Sequence, residues 1–373
     1  MRVLILGGGL QGLACAMSLY KEHEVSAVAS DLMSKRSRFF KHVYTDINGN
    51  SEELFDLLKS RHFDVLLPVS DRIVPFVSRN KKEIEKEYGI KCAVPDYAFV
   101  YIVEDKSRFI TFCEDNDVPH PRTIQLSMDN LYDAASLIGF PSLIKPDYSV
   151  GARGITKVES IKQLNEMFPV VNERYGSCSL QEFIDNKEYY FNVMLFRDRE
   201  GNYPAYTILK IVRVYPLGAG SSACCVTVEN DELLRICKDC LDKMGWVGMA
   251  DFDVLQRLDT MEYKVIEINP RVPASLRGAE VSGVRFPQLI VDDAIGNSIS
   301  DYNYVPGKVL RYLGIDILWF ISSPRKFRTK PSWFSFFGKD VYYQDIYKED
   351  VTTWWTWLVE GLSKISKRNK KIR

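Results

Sequence analysis

The sequence lacks an excess of charge of either sign. Its 49 Lys and Arg balance 49 Asp and Glu, so no net field attracts nucleic acid in bulk, and a nucleic-acid partner is not expected. Only four histidines are present, His23, His42, His62 and His120, and none falls in a pattern that suggests a Ser/His/Asp or Cys/His pair. The eight cysteines are scattered through apolar contexts, as buried thiols usually are. Cys237-x-x-Cys240 has no second pair to complete a zinc site, so both read as small residues of a helix from Glu232 to Met244. This usage fits a reducing, cytoplasmic setting. A membrane-length apolar run is also missing. The nearest candidate, Val3 to Tyr20, is uncharged for 18 residues but is interrupted by Gly7, Gly8, Gly9 and Gly12. It reads better as a short buried strand followed by a helix than as a signal or a span.

What is present is ordinary globular composition, 46% apolar and 26% charged over 373 residues, enough for two or three domains. Over the first hundred residues strand and helix patterns alternate: Val3–Leu6 and Val25–Ala29 as strands around a helix Gln11–Tyr20, then a helix from Ser51 to Lys59, a strand Val65–Pro68 and a polar helix Lys81–Tyr88. Such alternation predicts a parallel sheet with covered faces. From Lys106 the style changes. Helices are predicted at Lys106–Asn116, from Ser127 through Ile138, and at Ile161–Phe168. Strands are predicted at Ser179–Ile184, Tyr189–Phe196, Ala205–Tyr215, Ala223–Val228, Ala250–Leu255 and Tyr263–Ile268. Strand runs with a few helices point to a mostly antiparallel α+β unit.

Gly7-x-Gly9-x-x-Gly12 follows a strand and opens a helix, and Asp31 closes the next strand. This is the dinucleotide fingerprint in its usual context, with Asp31 placed to bind a ribose. The alternative is that the glycines serve tight turning and close packing. That alternative is preferred, because nothing downstream offers a hydride-transfer site.

The middle of the chain suggests different chemistry. Lys106 opens a helix and Lys145 ends a strand, and compact ammonium charges suit phosphate. Between Tyr148 and Gly154, Ser149, Gly151 and Gly154 belong to a glycine loop whose N–H groups could fold over phosphate. Gln181-Glu182-Phe183-Ile184 ends an apolar strand, and Glu188 follows; backbone there could meet adenine and a carboxylate could meet ribose. Glu267 and Asn269 share a face of their strand, and Asp253 can join them from its neighbour. Two carboxylates and an amide oxygen make a hard oxygen site suited to Mg²⁺ held partly by phosphates.

Together Lys106, Phe140-Pro141-x-x-Ile144-Lys145-Pro146, Ser149 to Gly154, Gln181 to Ile184, Asp251 to Leu255 and Ile266-Glu267-Ile268-Asn269-Pro270-Arg271 resemble the ATP-grasp superfamily, in the style of the carbamoyl-phosphate synthase large subunit. The resemblance implies a Rossmann-like pre-ATP-grasp domain (1–104), a two-subdomain ATP-grasp fold (105–300) and a C-terminal aromatic and basic extension (301–373). It further implies that Lys106 and Lys145 bind phosphates, that Glu182 and Ile184 hold adenine beside Gln181 and Phe183, and that Glu188 holds ribose. Asp253, Glu267 and Asn269 would bind Mg²⁺ or Mn²⁺, with Asp251 an alternative to Asp253. Arg271 would stabilise an acyl phosphate. The implied activity joins a carboxylate to an amine at the cost of ATP, on an amino-acid derivative or a cell-surface saccharide precursor.

Arg213, ahead of the Gly218–Ser222 turn, and Arg277 are candidate substrate contacts, and Asp71 lies at a strand end where ligands bind in parallel sheets. Residues 301–373 hold five of the six tryptophans, and the last 13 residues carry six Lys and Arg with no acid. Thr352–Ile365 has helical amphipathic spacing. A helix packed on the core and a peripheral membrane contact through the tail both stay open. So do a homodimer, an NAD(P)-dependent oxidoreductase using the glycine motif, and a non-catalytic ATP-binding module.

Overall fold

The computed structural model describes residues 1–45, 47, 51–148, 153–186, 189–218, 220–353 and 355–356. The apolar N-terminal run becomes β1 (Arg2–Leu6), and Gly9 opens α1 (Gly9–Leu19). Then come β2 (Glu24–Val28), α2 (Leu32–Arg36), β3 (His42–Tyr44), α3 (Ser51–Ser60), β4 (Val65–Pro68), α4 (Ile73–Arg79), α5 (Lys81–Tyr88), β5 (Lys91–Cys92) and α6 (Tyr97–Val103). The five strands pair in parallel in the order β3-β2-β1-β4-β5. Both faces are covered, so β1 is apolar at successive positions. Val3 and Ile5 pack with Leu13, Cys15 and Leu19 of α1, while Leu4 and Leu6 pack with Leu54 and Leu58 of α3 and Val77 of α4.

A four-stranded antiparallel sheet follows. Its elements are α7 (Lys106–Asp115), β6 (Thr123–Gln125), α8 (Leu131–Ile138), β7 (Ser142–Pro146), β8 (Thr156–Val158), α9 (Ile161–Tyr175) and β9 (Cys178–Glu182), with strand order β6-β9-β7-β8. Period-two alternation divides its faces. Ile144 and Leu180 join Leu164, Phe168 and Val171 of α9 in an apolar layer. Lys145 and Gln181 stand on the other face. Helix α9 runs to Tyr175 rather than ending at Phe168, although Pro169 lies inside it. Its buried stripe of Leu164, Phe168 and Val171 continues across the proline, and that packing outweighs the lost N–H.

The third sheet has seven strands: β10 (Tyr190–Arg197), β11 (Ala205–Tyr215), β12 (Ser221–Thr227), β13 (Gly248–Gln256), β14 (Tyr263–Asn269), β15 (Val309–Arg311) and β16 (Val341–Tyr343). Their order is β14-β13-β10-β11-β12-β15-β16, antiparallel except for the β15–β16 pair. Helices α10 (Asp231–Met244), α11 (Arg277–Val281), α12 (Phe286–Ile295) and α13 (Leu313–Ser322) complete the described elements. One face of this sheet, including Phe191, Val193 and Ile208, packs on α10 and on Phe109 of α7. Cys237 and Cys240 point into that layer as buried thiols. Leu209 and Ile211 look the other way, toward α11, α12 and the parallel sheet.

Candidate active site

The polar face of the four-stranded sheet meets β14 and the start of α7. Lys106, Thr123, Lys145, Asp147, Ser179, Gln181 and Ile266 line the crevice between them. Asp105 caps α7, accepting from Ser107 N at 2.8 Å and Arg108 N at 3.1 Å, which fixes Lys106 on the first turn. Lys145 is buried and donates to Gln181 Oε1 at 3.0 Å. Gln181 in turn donates to Thr123 Oγ1 at 3.0 Å. Asp147 accepts from Ser179 and from Gln125. Burial, with help from neighbouring Lys106 and against the pull of Glu267, lowers the Lys145 ammonium to about 8. A desolvated cation in a crevice is a ready partner for phosphate.

On the seven-stranded sheet the register places Asp253 opposite both Asn192 and Glu267, and Asp251 opposite Asn269. These five side chains therefore share one face. Asn192 donates to Asp251 Oδ1 at 2.6 Å and Asp253 Oδ1 at 3.2 Å, and it accepts from Ser275 Oγ at 3.1 Å. Burial drives Asp253 well above the carboxylate range, reinforced by Glu267 and Asp251. For Glu267, burial also pushes upward, but Lys106, a hydrogen bond from Asp253, Lys145 and Arg271 together outweigh it and hold the group low. The environment thus favours the neutral form of Asp253 beside the charged form of Glu267. Two touching carboxylates that cannot both ionise alone are what a divalent cation resolves. The donor set fits Mg²⁺ shared with phosphate oxygens rather than a cage made wholly of protein. Among the described residues no group of three His, Cys, Asp or Glu is arranged to hold a metal ion. Asp251 shares the Asn192 hydrogen bond and the upward push of burial with Asp253; what separates them is register, since Asp253 lies opposite Glu267 and Asp251 opposite Asn269.

Arg271 lies at the edge of this group. Its Nε donates to Asp71 of the parallel sheet's C-terminal side, and its Nη2 donates to Asn269 Oδ1 at 3.2 Å. Asp71 thus positions an arginine across two sheets. A cavity of about 360 Å³ lies beside Arg271 between these sheets, with Leu67, Pro68, Phe196 and Met249 among its walls.

Other expected residues are placed differently. Arg213 is not gathered on the site. A bulge between Ile211 and Arg213 sets Arg213 opposite Cys224, next to the Cys225 that opposes Ile211, so it faces away from Glu267. There it is fully buried and forks onto Asp316, at 2.7 and 3.0 Å. Arg277 donates to Ile346 O at 2.6 Å and lies 3.9 Å from the Tyr347 ring centroid; the C-terminal segment claims it. The Glu182 carboxylate accepts from Arg122 N at 2.9 Å and Arg257 Nη2 at 2.7 Å, and its N–H donates to Arg122 O at 2.9 Å, so both its side chain and its N–H are engaged within the protein. Phe183 N bonds Pro141 O at 3.3 Å and Ile184 is buried. Gly154 has φ +79°, and a Cβ there would meet Pro146 Cγ at 2.8 Å. Ser149, Gly151 and Glu188 lie outside the described residues.

The N-terminal glycines are used internally. A Cβ on Gly12 would lie 2.4 Å from Gly7 O, and one on Gly8 would lie 1.8 Å from Asp31 Oδ2. The Asp31 carboxylate accepts from Gly9 N at 3.0 Å and from Ser34 N at 2.9 Å. It occupies the start of α1, where a pyrophosphate would approach, and is not presented to a ribose.

Residues 103–275 match the ATP-grasp domain family. The chain carries an ATP-grasp domain over that span. Among curated proteins, a D-aspartate ligase of Enterococcus faecium is 23% identical over 66% of this chain and 63% of its own length. A carbamoyl phosphate synthase large chain of Methanospirillum hungatei is 28% identical over 59% of this chain and 22% of its own length. The chain therefore spans less than two thirds of either relative. Among solved structures, biotin carboxylase of Campylobacter jejuni superposes with TM-score 0.71 at 15% identity, covering 83% of this chain and 74% of that one. N5-carboxyaminoimidazole synthetase of Staphylococcus aureus, complexed with ADP, gives 0.68 at 14% identity over 83% and 81%. These show a shared fold.

Proposed function

We propose that the protein is an ATP-dependent ligase that activates a small carboxylate as an acyl phosphate and passes the acyl group to an amine. The observation that carries this reading is the electrostatic reach of Lys106 and Lys145 onto Glu267, with Asp253 opposite it, where the crevice lined by both lysines meets β14. Cations on one wall suit a triphosphate. A carboxylate pair and an amide on the other suit the Mg²⁺ that would neutralise its oxygens and polarise the γ-phosphoryl group. Lys106 and Lys145 hold the phosphates in line. Backbone from Glu182 to Ile184, at the end of β9, holds the base. The substrate carboxylate attacks the γ-phosphorus, the bond to the β-phosphate oxygen breaks, and ADP leaves. The amine then adds to the acyl carbon and expels inorganic phosphate. Arg271, positioned by Asp71, offsets the negative charge of the acyl phosphate. The cavity beside Arg271 has room for the acid. Positioning and charge carry such a reaction without a nucleophilic side chain. The names of the relatives, D-aspartate ligase and carbamoyl phosphate synthase, are in keeping with it.

Phosphate release from MgATP, screened across carboxylates and amines, tests the proposal. Release that requires a particular acid is expected. Release indifferent to every acid would mean plain ATP hydrolysis and contradict the proposal, and ATP binding without turnover on any pair would favour a non-catalytic ATP-binding module.

A further inference from the structure

Residues 317–339 carry five cations, Arg325, Lys326, Arg328, Lys330 and Lys339, and no acid. The same stretch exposes large apolar side chains: Ile317, Ile321 at 67%, Phe327 at 72%, Phe334 at 57% and Phe337 at 94%. They are not scattered. Phe320 lies 5.7 Å from both Phe327 and Phe334, ring to ring, and Phe327 and Phe334 are 6.3 Å apart. Ile317 and Ile321 are four residues apart on α13, hence on the same side. The segment's polar backbone is tied down beneath. Arg213 donates to Pro331 O at 2.9 Å, Arg311 to Ser335 O at 2.9 Å, and Trp333 Nε1 to Asp316 O at 3.0 Å. A buried arginine–aspartate–arginine group therefore holds this loop in place while its rings face outward. Lys326 Nζ stands 5.7 Å from the Phe320 centroid and 5.9 Å from that of Phe327, so charge borders the rings directly.

We propose that this face docks on an anionic lipid surface, its aromatic and Ile side chains entering the headgroup boundary while the five cations meet phosphates. Exposed aromatic tips ringed by Lys and Arg are the chemistry of that interface. A second copy of the chain is a poorer occupant, because two acid-free cationic faces would repel. A polyanionic nucleic acid is poorer too: its bases can stack on the Phe rings but leave the exposed Ile317 and Ile321 in water, and the whole chain is neutral.

Cosedimentation of the full chain with phosphatidylcholine vesicles, with and without phosphatidylserine, tests this. The wild type should bind the phosphatidylserine vesicles and lose part of that binding in high salt. The triple variant Phe327→Ser, Phe334→Ser, Phe337→Ser, all at exposed positions, should bind about tenfold less with its melting temperature and MgATP affinity unchanged. The triple variant Lys326→Gln, Arg328→Gln, Lys330→Gln should lose the preference for phosphatidylserine. Three results would overturn the proposal: no binding by the wild type, full binding by the aromatic variant (which assigns lipid contact to another surface, such as the basic C-terminus), or wild-type binding to a single-stranded oligonucleotide in place of vesicles.

Discussion

The proposed contact of Lys145 with a phosphate needs a charged ammonium, which burial makes harder to keep. Its value near 8 sets where that charge is lost. Below about 8 the free protein already carries the charge, and this group adds no pH dependence to nucleotide binding. Above it the free lysine releases a proton that the triphosphate-bound form retains, so ATP affinity should fall as pH rises. Lys145→Arg, which does not titrate in this range, should flatten that fall. Calorimetric ATP titrations between pH 7 and 9.5 (roughly spanning the shift) check both. Equal slopes for the two proteins would remove Lys145 from the phosphate site. Asn192 is the site residue that sequence reasoning missed. Its signal was an amide inside the otherwise apolar run Tyr190–Phe196; a strand does not bury an unpaired amide, and here it holds two aspartates.

At the scale of elements, the seven-stranded sheet depends on a buried charge group that joins β11 to the β15–α13 segment about a hundred residues later. Arg213 of β11 and Arg311 of β15 both pair with Asp316 of α13, all fully buried. Removing the shared anion leaves two guanidiniums without a counter-charge. Asp316→Ala should therefore cost about 3–5 kcal/mol in denaturant unfolding, and a cost below about 1 kcal/mol would contradict this account. From sequence, Arg213 read as a ligand contact because its partner lies 103 positions away; a charged residue in a strand has the same local signature either way. Glu280 of α11 is a second element-level test. Burial against α1 pushes its carboxyl from 4.5 to about 7, despite Ser18, Arg285 and Arg277 pulling down. Between those values the folded chain holds a proton the unfolded chain has released, so stability falls as pH rises through that window and the loss is complete above about 7. Glu280→Gln should thus melt higher than the wild type at pH 8, by the equivalent of about 1–3 kcal/mol, and at the same temperature as the wild type at pH 4. A constant difference at both pH values would assign the effect to packing instead.

For the whole molecule, the parts of the site that repeat a local pattern were legible in advance. Strand ends with a lysine or a Glu-x-Asn were readable from period-two alternation, and so was the parallel N-terminal sheet. What was not readable depended on contacts across long separations: the bulge that turns Arg213 away, the claim of Ile346 on Arg277, the Asp71–Arg271 pair 200 positions apart, and the Asp31 carboxylate that fills its own glycine loop. The balanced net charge also conceals a division of labour. Lys106 and Lys145 lie within electrostatic reach of Glu267, while residues 317–339 concentrate cations alone at the surface. Among the described residues no helix is long and apolar enough to cross a membrane.

The central claim is that a carboxylate is phosphorylated in the crevice between Lys145 and Glu267. Its most direct test needs no knowledge of the amine. The protein is incubated with MgATP, a panel of carboxylic acids and hydroxylamine, which captures an acyl phosphate as a coloured hydroxamate. The account predicts hydroxamate with at least one acid, dependent on ATP, and a loss of at least about a hundredfold in Glu267→Gln with the fold retained by circular dichroism. Hydroxamate formed as fast by Glu267→Gln as by the wild type, or ATP hydrolysed with no hydroxamate from any acid, would contradict it.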